Sequence, residues 1–518
     1  MAEQEYIIIA KDPAVWKTSL WDELTKDGLG DDFIPSRSIE VANDRPFNTK
    51  MAHFNLTAEE AKEIAKDERI ESIELNHELD PEIEFGFSGE RGSRTYNRSL
   101  FSTTASMSNW GLARCIDPNN PFGLPDNSAN LTLDRTFPFN LDGTGVDLIV
   151  VDSGIEADHP EFAVNADGTG GSRVVDFDWN TLGVTGCPTG PSIGGYLGDS
   201  DGHGSNCASI AAGNQQGWAS GALIYSLRIF SGNDITSGTF LDAISTNIVW
   251  DIIKAFHDKK IADGNTRPTI CTNSWGFRSA YSDIASVTYR GTTTAITSRD
   301  ATKGMVNSLY GVLINSQSLS VANASSTGVI MTGAAGNYFH KSDVQGGLDY
   351  NNFYTKGNGS TSHYHRGSSP TNAVEMICVG ALAADNFYDE KVNFSESGPR
   401  VDIYAPGDGI MGAYANKSYN TPAVQDSRNS TYYLNKISGT SQATPQVAGV
   451  MCLFAQLDTT ITKTQMVEQL YKYALVDVME EGTNGSTDYS NTKGLQGGPN
   501  YVLQNPYINP DRGGISST

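Results

Sequence analysis

Five short, largely apolar segments rich in β-branched residues constrain the fold of this chain more than any other feature. They are separated by longer stretches and comprise Val146–Val151, Leu223–Ile229, Thr269–Asn273, Gly328–Thr332 and Met376–Val379. Strands that are apolar on both faces are typical of parallel sheets, in which helices cover the two faces. The sequence therefore predicts an α/β domain with a central, mostly parallel sheet, flanked by helices such as Phe240–Lys254 and Gln446–Gln456.

The first 85 residues differ in composition from the rest of this 518-residue chain. They carry 21 Asp and Glu against 9 Lys and Arg, a net charge of −12 out of −24 for the whole chain. Thr57 and Glu60 are spaced as the two halves of a capping box, which predicts that a helix starts at Thr57. The remaining pattern completes a small α+β domain, with a helix at Pro13–Lys26 and strands at Glu5–Ala10, Ile39–Val41, Met51–Leu56 and Ile70–Leu75.

The segment 86–109 is rich in Gly, Ser, Thr and Arg and has no apolar periodicity. Such a composition is typical of an exposed linker, where proteases cut. We expect the large α/β domain to span 110–477 and a polar tail to follow at 478–518.

Composition and charge exclude several classes of function. The excess of acidic residues repels phosphate backbones, so we expect no nucleic-acid partner. Six scattered cysteines without a CxxC pair argue against a disulfide framework and against a structural zinc site. No apolar stretch approaches the ~18 residues of a membrane-spanning helix, so we expect no membrane partner.

The amino terminus lacks the basic and apolar regions of a secretion signal. We therefore expect cytoplasmic synthesis, with the protein acting inside the cell, after lysis, or within an assembled particle.

Three short motifs carry residues suited to chemistry. Asp152 follows the first apolar strand, His203 stands between two glycines at the start of a small-residue helix, and Ser441 opens an apolar helix. Each has an ordinary structural alternative: a turn-capping carboxylate, a structural histidine and a helix N-cap. His203 and Cys207 also have the i, i+4 spacing of a metal pair, but no further ligands accompany them at a suitable spacing.

The three motifs together favour catalysis by a serine nucleophile. A serine hydroxyl needs a base to accept its proton and a carboxylate to orient that base. The chain presents Asp152, His203 and Ser441 in that order, whereas α/β-hydrolases run Ser, Asp, His.

The segments around these residues resemble the three signatures of the subtilisin-like serine proteases. Trp110-Gly-Leu-Ala-Arg114 and the position of Cys207 resemble proteinase K-like members. The signatures read Asp152-Ser-Gly, His203-Gly-Ser-x-x-Ala and Gly439-Thr-Ser441-x-Ala-x-Pro445. The resemblance implies a three-layer subtilisin-like fold and an endopeptidase activity. It implies Asn337 as the oxyanion-stabilising amide, and substrate-binding segments at Ser274-Trp275-Gly276 and Ala334-Ala335-Gly336.

Residues 5–85 resemble the inhibitory propeptide of the same family, a small ferredoxin-like α+β domain. The resemblance implies a zymogen that cleaves itself within about residues 86–105, and a released propeptide that remains a partner as inhibitor and folding assistant. Ser205 and Gln442 depart from the family's usual Thr and Met, and 277–327 and 339–372 resemble insertions near the substrate side.

Two other functions stay open on sequence: a non-catalytic scaffold with this fold, and a peptide ligase that uses the same site. The expected chemistry requires no cofactor, and its partners are protein or peptide substrates. The resemblance leaves structural calcium open, with oxygen-rich loops such as Asp199-Ser-Asp201 but no assignable ligand set.

Overall fold

A computed structural model describes most of the chain, and it divides into two compact units, Met1–Gly89 and Glu90–Thr518. The described residues are 3–25, 35, 37–43, 51–75, 92–96, 109–116, 135–139, 141–188, 197–234, 237–246, 248–384, 389–414, 424–481, 489 and 491–506. Each unit is described by itself.

The small unit is a four-stranded antiparallel sheet with helical segments after its first and third strands. Its strands are Gln4–Ala10, Glu40–Asn43, Met51–Leu56 and Ile70–Leu75, and they lie side by side in the order second, third, first, fourth. The helical segments are Pro13–Val15, Trp16–Leu20 and Trp21–Thr25, which run on from one another, and Ala58–Ile64. This is the βαββαβ, ferredoxin-like arrangement that the resemblance implied.

The small unit has its own core, in which Ile8, Trp16, Leu20 and Phe54 are almost completely buried. The predicted capping box is confirmed. The Glu60 N–H donates to the Thr57 hydroxyl oxygen, and the Thr57 N–H donates to the Glu60 carboxylate at 2.8 Å.

The large unit is built on a nine-stranded sheet in which every neighbouring pair but one is parallel. This confirms the predicted α/β class and the mostly parallel sheet. In spatial order the strands are Leu475–Val476, Tyr501–Val502, Ile403–Pro406, Met376–Leu382, Ile330–Ala334, Thr269–Asn273, Asp147–Asp152, Leu223–Arg228 and Val174–Val175, and the first two are antiparallel.

Both faces of this sheet are covered. Ile149 and Val151 pack in one core cluster with Trp250 of the helix Val249–Ala262, and the alternate residues of the same strand are also buried. Because successive side chains of a strand point to opposite faces, the sheet is buried on both sides. The other helices are Trp110–Arg114, His203–Ala212, Asn315–Ser325, Thr440–Leu457 and Lys463–Tyr473.

Short strands form smaller sheets around this frame. They pair Gly154–Ile155 with Gly198–Asp199, Gly232–Asn233 with Phe240–Leu241, Arg278–Ala280 with Leu309–Gly311, and Gly92–Tyr96 with Arg135–Phe139. A three-stranded sheet contains Ile410–Tyr414, Val424–Asp426 and Asn429–Ile437. A four-stranded sheet contains Ile284–Tyr289, Thr292–Ala295, Phe353–Lys356 and Thr361–His363.

The helix predicted at Phe240–Lys254 begins nine residues later than expected, at Val249. Phe240 and Leu241 instead pair with Gly232–Asn233, a tertiary contact that overrides the local helical pattern. The helix predicted at Gln446–Gln456 begins earlier, at Thr440, and contains Pro445.

Part of the predicted polar tail is packed into the large unit. Leu495 and Val502 are buried with Tyr404 in one core cluster, and the strand Tyr501–Val502 extends the main sheet. The packed region thus continues to residue 506, beyond the boundary expected at 477, and residues 507–518 lie outside the described part. Of the predicted linker, Gly92–Tyr96 is a strand, and 86–91 and 97–108 lie outside the described residues.

The helix Asn315–Ser325 lies within the first segment expected to be an insertion, 277–327, but it packs Val321 and Ala324 into the core cluster of the main sheet. The rest of the two segments, residues 277–312 and 339–372, is here called the insertion. Its centre is a cluster of buried aromatic rings around Tyr310, Tyr354 and Tyr364. The Tyr281 ring lies 4.6 Å from that of Tyr310.

All six cysteines are free and buried. Within the described ranges, no helix has both the length and the apolar character needed to cross a bilayer.

Candidate active site

Asp152 ends a central strand, and its carboxylate is held between a backbone donor and an imidazole. The Ser153 N–H donates to Asp152 Oδ1 at 2.7 Å, and His203 Nδ1 lies 2.8 Å from the same oxygen. Asp152 is buried, while the His203 side chain is 27% exposed. A buried carboxylate on Nδ1 fixes the ring so that Nε2 is the nitrogen left for chemistry.

Close backbone packing brings these two residues together. A Cβ on Gly204 would lie 2.1 Å from the Gly154 carbonyl oxygen, so only glycine fits after His203. The Gly204 N–H donates to the Ser153 hydroxyl at 2.9 Å, which ties the helix start to the turn after Asp152.

A second buried carboxylate, Asp199, supports the helix that carries His203. The N-cap residue Gly202 has no side chain, and Asp199 Oδ2 instead accepts from the Ser205 N–H at 2.9 Å and from its hydroxyl at 2.8 Å. Asp199 Oδ1 accepts from the Ser153 hydroxyl and the Asp201 N–H. Burial raises the pKa of Asp199 above its usual value, against these hydrogen bonds, which favour the ionised form.

The same contacts show whether Asp199 is suited to bind calcium. Both Asp199 oxygens already accept two hydrogen bonds from protein donors, so this carboxylate does not fit the role of a calcium ligand.

The charge state of His203 depends on opposing effects. Burial lowers its pKa, but the Asp152 charge and hydrogen bond outweigh burial, so the pKa of His203 is raised well above its usual value. Cys207 Sγ lies 3.8 Å from His203 Nδ1, and burial raises the pKa of this thiol. The atoms of Asp152, His203 and Cys207 that could ligate a metal ion all lie within 4.8 Å of one another, but the hydrogen bond to Asp152 already occupies His203 Nδ1.

Ser441 is the second residue of the helix Thr440–Leu457, and three contacts fix its position. Its hydroxyl donates to the Ser274 carbonyl oxygen at 3.1 Å. Its own carbonyl oxygen accepts from the Ser274 hydroxyl at 2.8 Å and from the Cys207 thiol at 3.4 Å. Pro445 explains why that carbonyl is available, because proline has no N–H to close the helical hydrogen bond four residues back.

Asn337 is oriented by the residue before the serine. Its Oδ1 accepts from both the N–H and the hydroxyl of Thr440, each at 2.9 Å. A backbone N–H can only donate, so this atom of Asn337 must be the oxygen. The amide NH₂ is therefore left as a donor, next to Ser441.

The predicted site residues surround one cleft of about 710 Å³. It is lined by Asp152, His203, Ser441, Asn337, Ser274, Trp275, Gly276, Ala334 and Gly336. Ala335 is the exception. Its side chain is buried in the core cluster that contains Trp110 and Cys378, because neighbouring residues in extended backbone point to opposite sides.

The structure adds residues that the motifs did not identify. Thr440 anchors Asn337, Asp199 supports the His203 helix, and Glu396, Arg278 and Tyr338 line the cleft. Thr440 stands inside a quoted motif, at a position for which the pattern gave no role.

Comparisons with known proteins support the same chemistry. The model of the subtilase family, Peptidase_S8, matches residues 143–497. Alkaline serine exoprotease A of Vibrio alginolyticus is 25% identical over 473 residues, covering 89% of this chain and 62% of that protein. Alkaline protease 1 of Aspergillus oryzae is 26% identical over 340 residues, covering 65% of this chain and 59% of that protein. The chain thus spans about three fifths of the length of these two relatives.

Among solved structures, a cold-adapted subtilisin-like serine proteinase is similar over 77% of this chain and 98% of that one. The sequence identity is 22% and the TM-score is 0.45.

Proposed function

This chain belongs to the subtilase family, and on that premise we propose that it is a serine endopeptidase whose catalytic residues are Asp152, His203 and Ser441. The observation that carries the proposal is the Asp152–His203 contact of 2.8 Å in the cleft that also contains the Ser441 hydroxyl. Peptide hydrolysis by this arrangement requires no cofactor.

In the proposed reaction, the Ser441 hydroxyl leaves the Ser274 carbonyl and gives its proton to His203 Nε2 as Oγ attacks the scissile carbonyl carbon. His203 then returns that proton to the leaving amine, and Asp152 stabilises the imidazolium and keeps its orientation. Water repeats the sequence to release the acyl group from Ser441.

The oxyanion of the tetrahedral intermediate is proposed to bind two donors. One is the Asn337 amide, which Thr440 turns so that its NH₂ remains free. The other is the Ser441 N–H, which belongs to the unpaired donors at the positive end of the helix Thr440–Leu457. Both are fixed before the substrate arrives, which is what electrostatic preorganisation requires.

The substrate is proposed to bind extended, as an added strand beside Ser274–Gly276. Ala334 and Gly336 would form one wall of the pocket for the side chain before the cleaved bond, a position called P1 below.

The activity is tested by reaction with a serine-directed fluorophosphonate. We expect labelling of the wild type but not of Ser441→Ala, together with casein hydrolysis that the substitution removes. Lack of labelling in a folded wild type would favour the scaffold function, and peptide joining with an added amine nucleophile would favour the ligase.

The small unit is proposed to be an inhibitory propeptide and folding assistant. Its ferredoxin-like topology and separate core support an independently folded domain. A large parallel sheet depends on contacts distant in sequence, so its folding is slow and gains from a template. The wild type should cleave itself before Trp110, whereas Ser441→Ala should stay full-length.

Amino-terminal sequencing of the purified protein locates that cleavage. A chain expressed from residue 103 should refold poorly, and residues 1–85 added in trans should restore activity. Full activity with residues 1–85 still attached would contradict the propeptide role.

A further inference from the structure

One carboxylic acid in the cleft has no part in the proposed reaction. Glu396 lines the same cleft as Ser441, and its side chain is completely buried. Its Oε1 has no hydrogen-bond partner among the described residues. A buried polar atom without a partner is destabilising, so its position here calls for a functional explanation.

Two hydrogen bonds fix Glu396 in this position. The Ser342 hydroxyl donates to Oε2 at 2.8 Å, and the Glu396 N–H donates to the Gly336 carbonyl oxygen at 2.9 Å. One carboxyl oxygen is thus satisfied, the backbone is anchored, and Oε1 is left over.

The free oxygen lies against the wall of the proposed P1 pocket. A Cβ on Gly336 would lie 2.5 Å from Glu396 Oε1, so the absence of a side chain there is what makes room for the carboxyl group. Ser368 and Trp275 line the same cleft. Glu396 therefore lies at the wall that an entering side chain would contact, and its Oε1 is itself shielded from solvent while the pocket is empty.

The nearby lysine is not its ion partner. Lys391 Nζ donates to the carbonyl oxygens of Val392 and Ser395 at 3.1 and 2.9 Å, and lies 4.8 Å from the Phe339 ring centroid. Among the described residues, Glu396 makes no ion pair within 4.0 Å.

The other charged groups of the lining balance one another. Asp152 and Asp201 are the acidic groups beside Glu396, and the basic ones are Arg278 and His203, whose pKa is raised well above its usual value. Arg278 donates to the Tyr338 hydroxyl and stands 5.7 Å from its ring centroid, with its guanidinium exposed.

Resting on the proposed endopeptidase function, we propose that Glu396 is a specificity-determining residue that selects Lys or Arg at P1. A cation beside Oε1 would give that oxygen its missing donor and form a charge-assisted hydrogen bond. An apolar P1 side chain would leave Oε1 buried and unpaired, and an acidic one would add a second carboxyl group.

Burial raises the pKa of Glu396 to about 8, against the Ser342 hydrogen bond and the Lys391 charge. The acid is therefore mostly protonated near neutral pH when the pocket is empty, and no isolated negative charge is buried. An entering Lys or Arg favours the ionised form, and the released proton passes to solvent.

The test uses peptide p-nitroanilides that differ only at P1, with Lys, Arg, Phe, Leu or Glu in that position. We expect the wild type to favour Lys and Arg over Phe by at least about tenfold in kcat/KM. Glu396→Gln keeps the size of the side chain and should lower kcat/KM for Lys and Arg by about 10–100-fold. The values for Phe and Leu should stay the same or rise.

Glu390→Gln is the matched control, because it removes a buried carboxylate from the same segment but does not line the cleft. It should retain the wild-type P1 profile. Benzamidine, a small aromatic cation, should inhibit the wild type competitively and Glu396→Gln more weakly.

A wild type that favours Phe or Leu would overturn the proposal, as would an unchanged Lys-to-Phe ratio in Glu396→Gln. If that variant does not fold, the wild-type profile and benzamidine inhibition decide the question. Fluorophosphonate labelling separates the two proposals: a labelled wild type without preference for Lys and Arg overturns only the role of Glu396.

Discussion

The cleft of the proposed active site and the insertion both contain partly or fully buried histidines, and the two environments shift the pKa of these histidines in opposite directions. In the cleft, the Asp152 carboxylate raises the pKa of His203 well above its usual value despite burial. In the insertion, burial dominates and lowers the pKa of His340 to about 3 and of His365 to about 4.

The difference lies in the partners of the rings. His340 is packed near Tyr281, and the backbone groups of Leu309 and Gly304 raise its pKa by less than burial lowers it. His365 stacks on Tyr489, and its Nδ1 lies 3.0 Å from the Asn352 amide nitrogen. Burial without an ion-paired carboxylate keeps imidazole neutral, whereas a buried carboxylate on the ring stabilises the imidazolium that proton transfer requires.

The largest expected effect separates the two regions by function. Ser441→Ala should lower kcat by about 10⁵–10⁶, the scale seen when the nucleophile of a serine protease is removed. Its unfolding transition should remain close to that of the wild type, because alanine only removes the hydroxyl bonded to Ser274. Casein hydrolysis and thermal unfolding measure the two quantities. Wild-type hydrolysis by the variant would disprove the assignment of the nucleophile.

A smaller loss should follow from the oxyanion site. Asn337→Ala should lower kcat by about 10²–10³ with little change in KM, because the amide acts on charge that develops in the transition state. Thr440→Val should lower kcat less, since the backbone N–H that orients Asn337 remains. Thr444→Val is its control and should keep the wild-type kcat, because the Thr444 hydroxyl donates to the Thr440 carbonyl oxygen and not to the groups that orient Asn337. Unchanged kcat in Asn337→Ala would remove this residue from the mechanism.

The cleft was easier to predict from sequence than the insertion, for a physical reason. Parallel strands align their carboxyl ends, so the position of Asp152 after an apolar strand already indicated the functional edge of the sheet. Ser274 follows the neighbouring strand at the same edge, but only the family resemblance identified it. Each catalytic motif also combines a reactive side chain with small neighbours, and that combination is visible locally.

The contacts missed from sequence depend on residues distant in the chain. The proposed role of Glu396 depends on its position beside Gly336, and the lowered pKa of His340 depends on its position inside the tyrosine cluster. Neither residue has an unusual local sequence pattern that would have identified it. Phe240 was assigned to a helix because its pairing with Asn233 cannot be read from helical periodicity.

The insertion should lose stability in acid. The pKa of His340 in the folded protein lies below its unfolded value of about 6.5. Its contribution to the free energy of unfolding is therefore fully present above pH 6.5 and is lost as pH falls towards the folded pKa. At about pH 5, the lowered pKa of His340 corresponds to a loss of about 2 kcal/mol in the free energy of unfolding. His340→Phe in the Ser441→Ala background should therefore lose less stability than its parent between about pH 7.5 and pH 5. Urea unfolding at the two pH values measures this difference.

Tyr281→Phe is the control, since it alters the same aromatic cluster but no group that titrates in this range. Its loss of stability between the two pH values should match that of the parent. Equal acid sensitivity of His340→Phe and its parent would show that His340 does not act in this way.

The smallest expected effect concerns the pH dependence of catalysis. It follows from the raised pKa of His203, a shift opposite in sign to that of His340. His203 must be unprotonated to accept the Ser441 proton, and its raised pKa places the acid limb of kcat/KM above pH 6.5. At pH 6.5, less than about half of the enzyme should then be active, with kcat/KM rising on the alkaline side. The same shift means that the stabilisation from protonated His203 is present below pH 6.5 and disappears as pH rises through the folded pKa. The ring thus becomes an effective base in the range where it stops contributing to stability.

Asp152→Asn should move the acid limb of kcat/KM towards lower pH, because it removes the charge that raises the pKa of His203. A wild-type limb centred at or below pH 6.5, measured with a neutral peptide substrate, would contradict the opposition between the two regions.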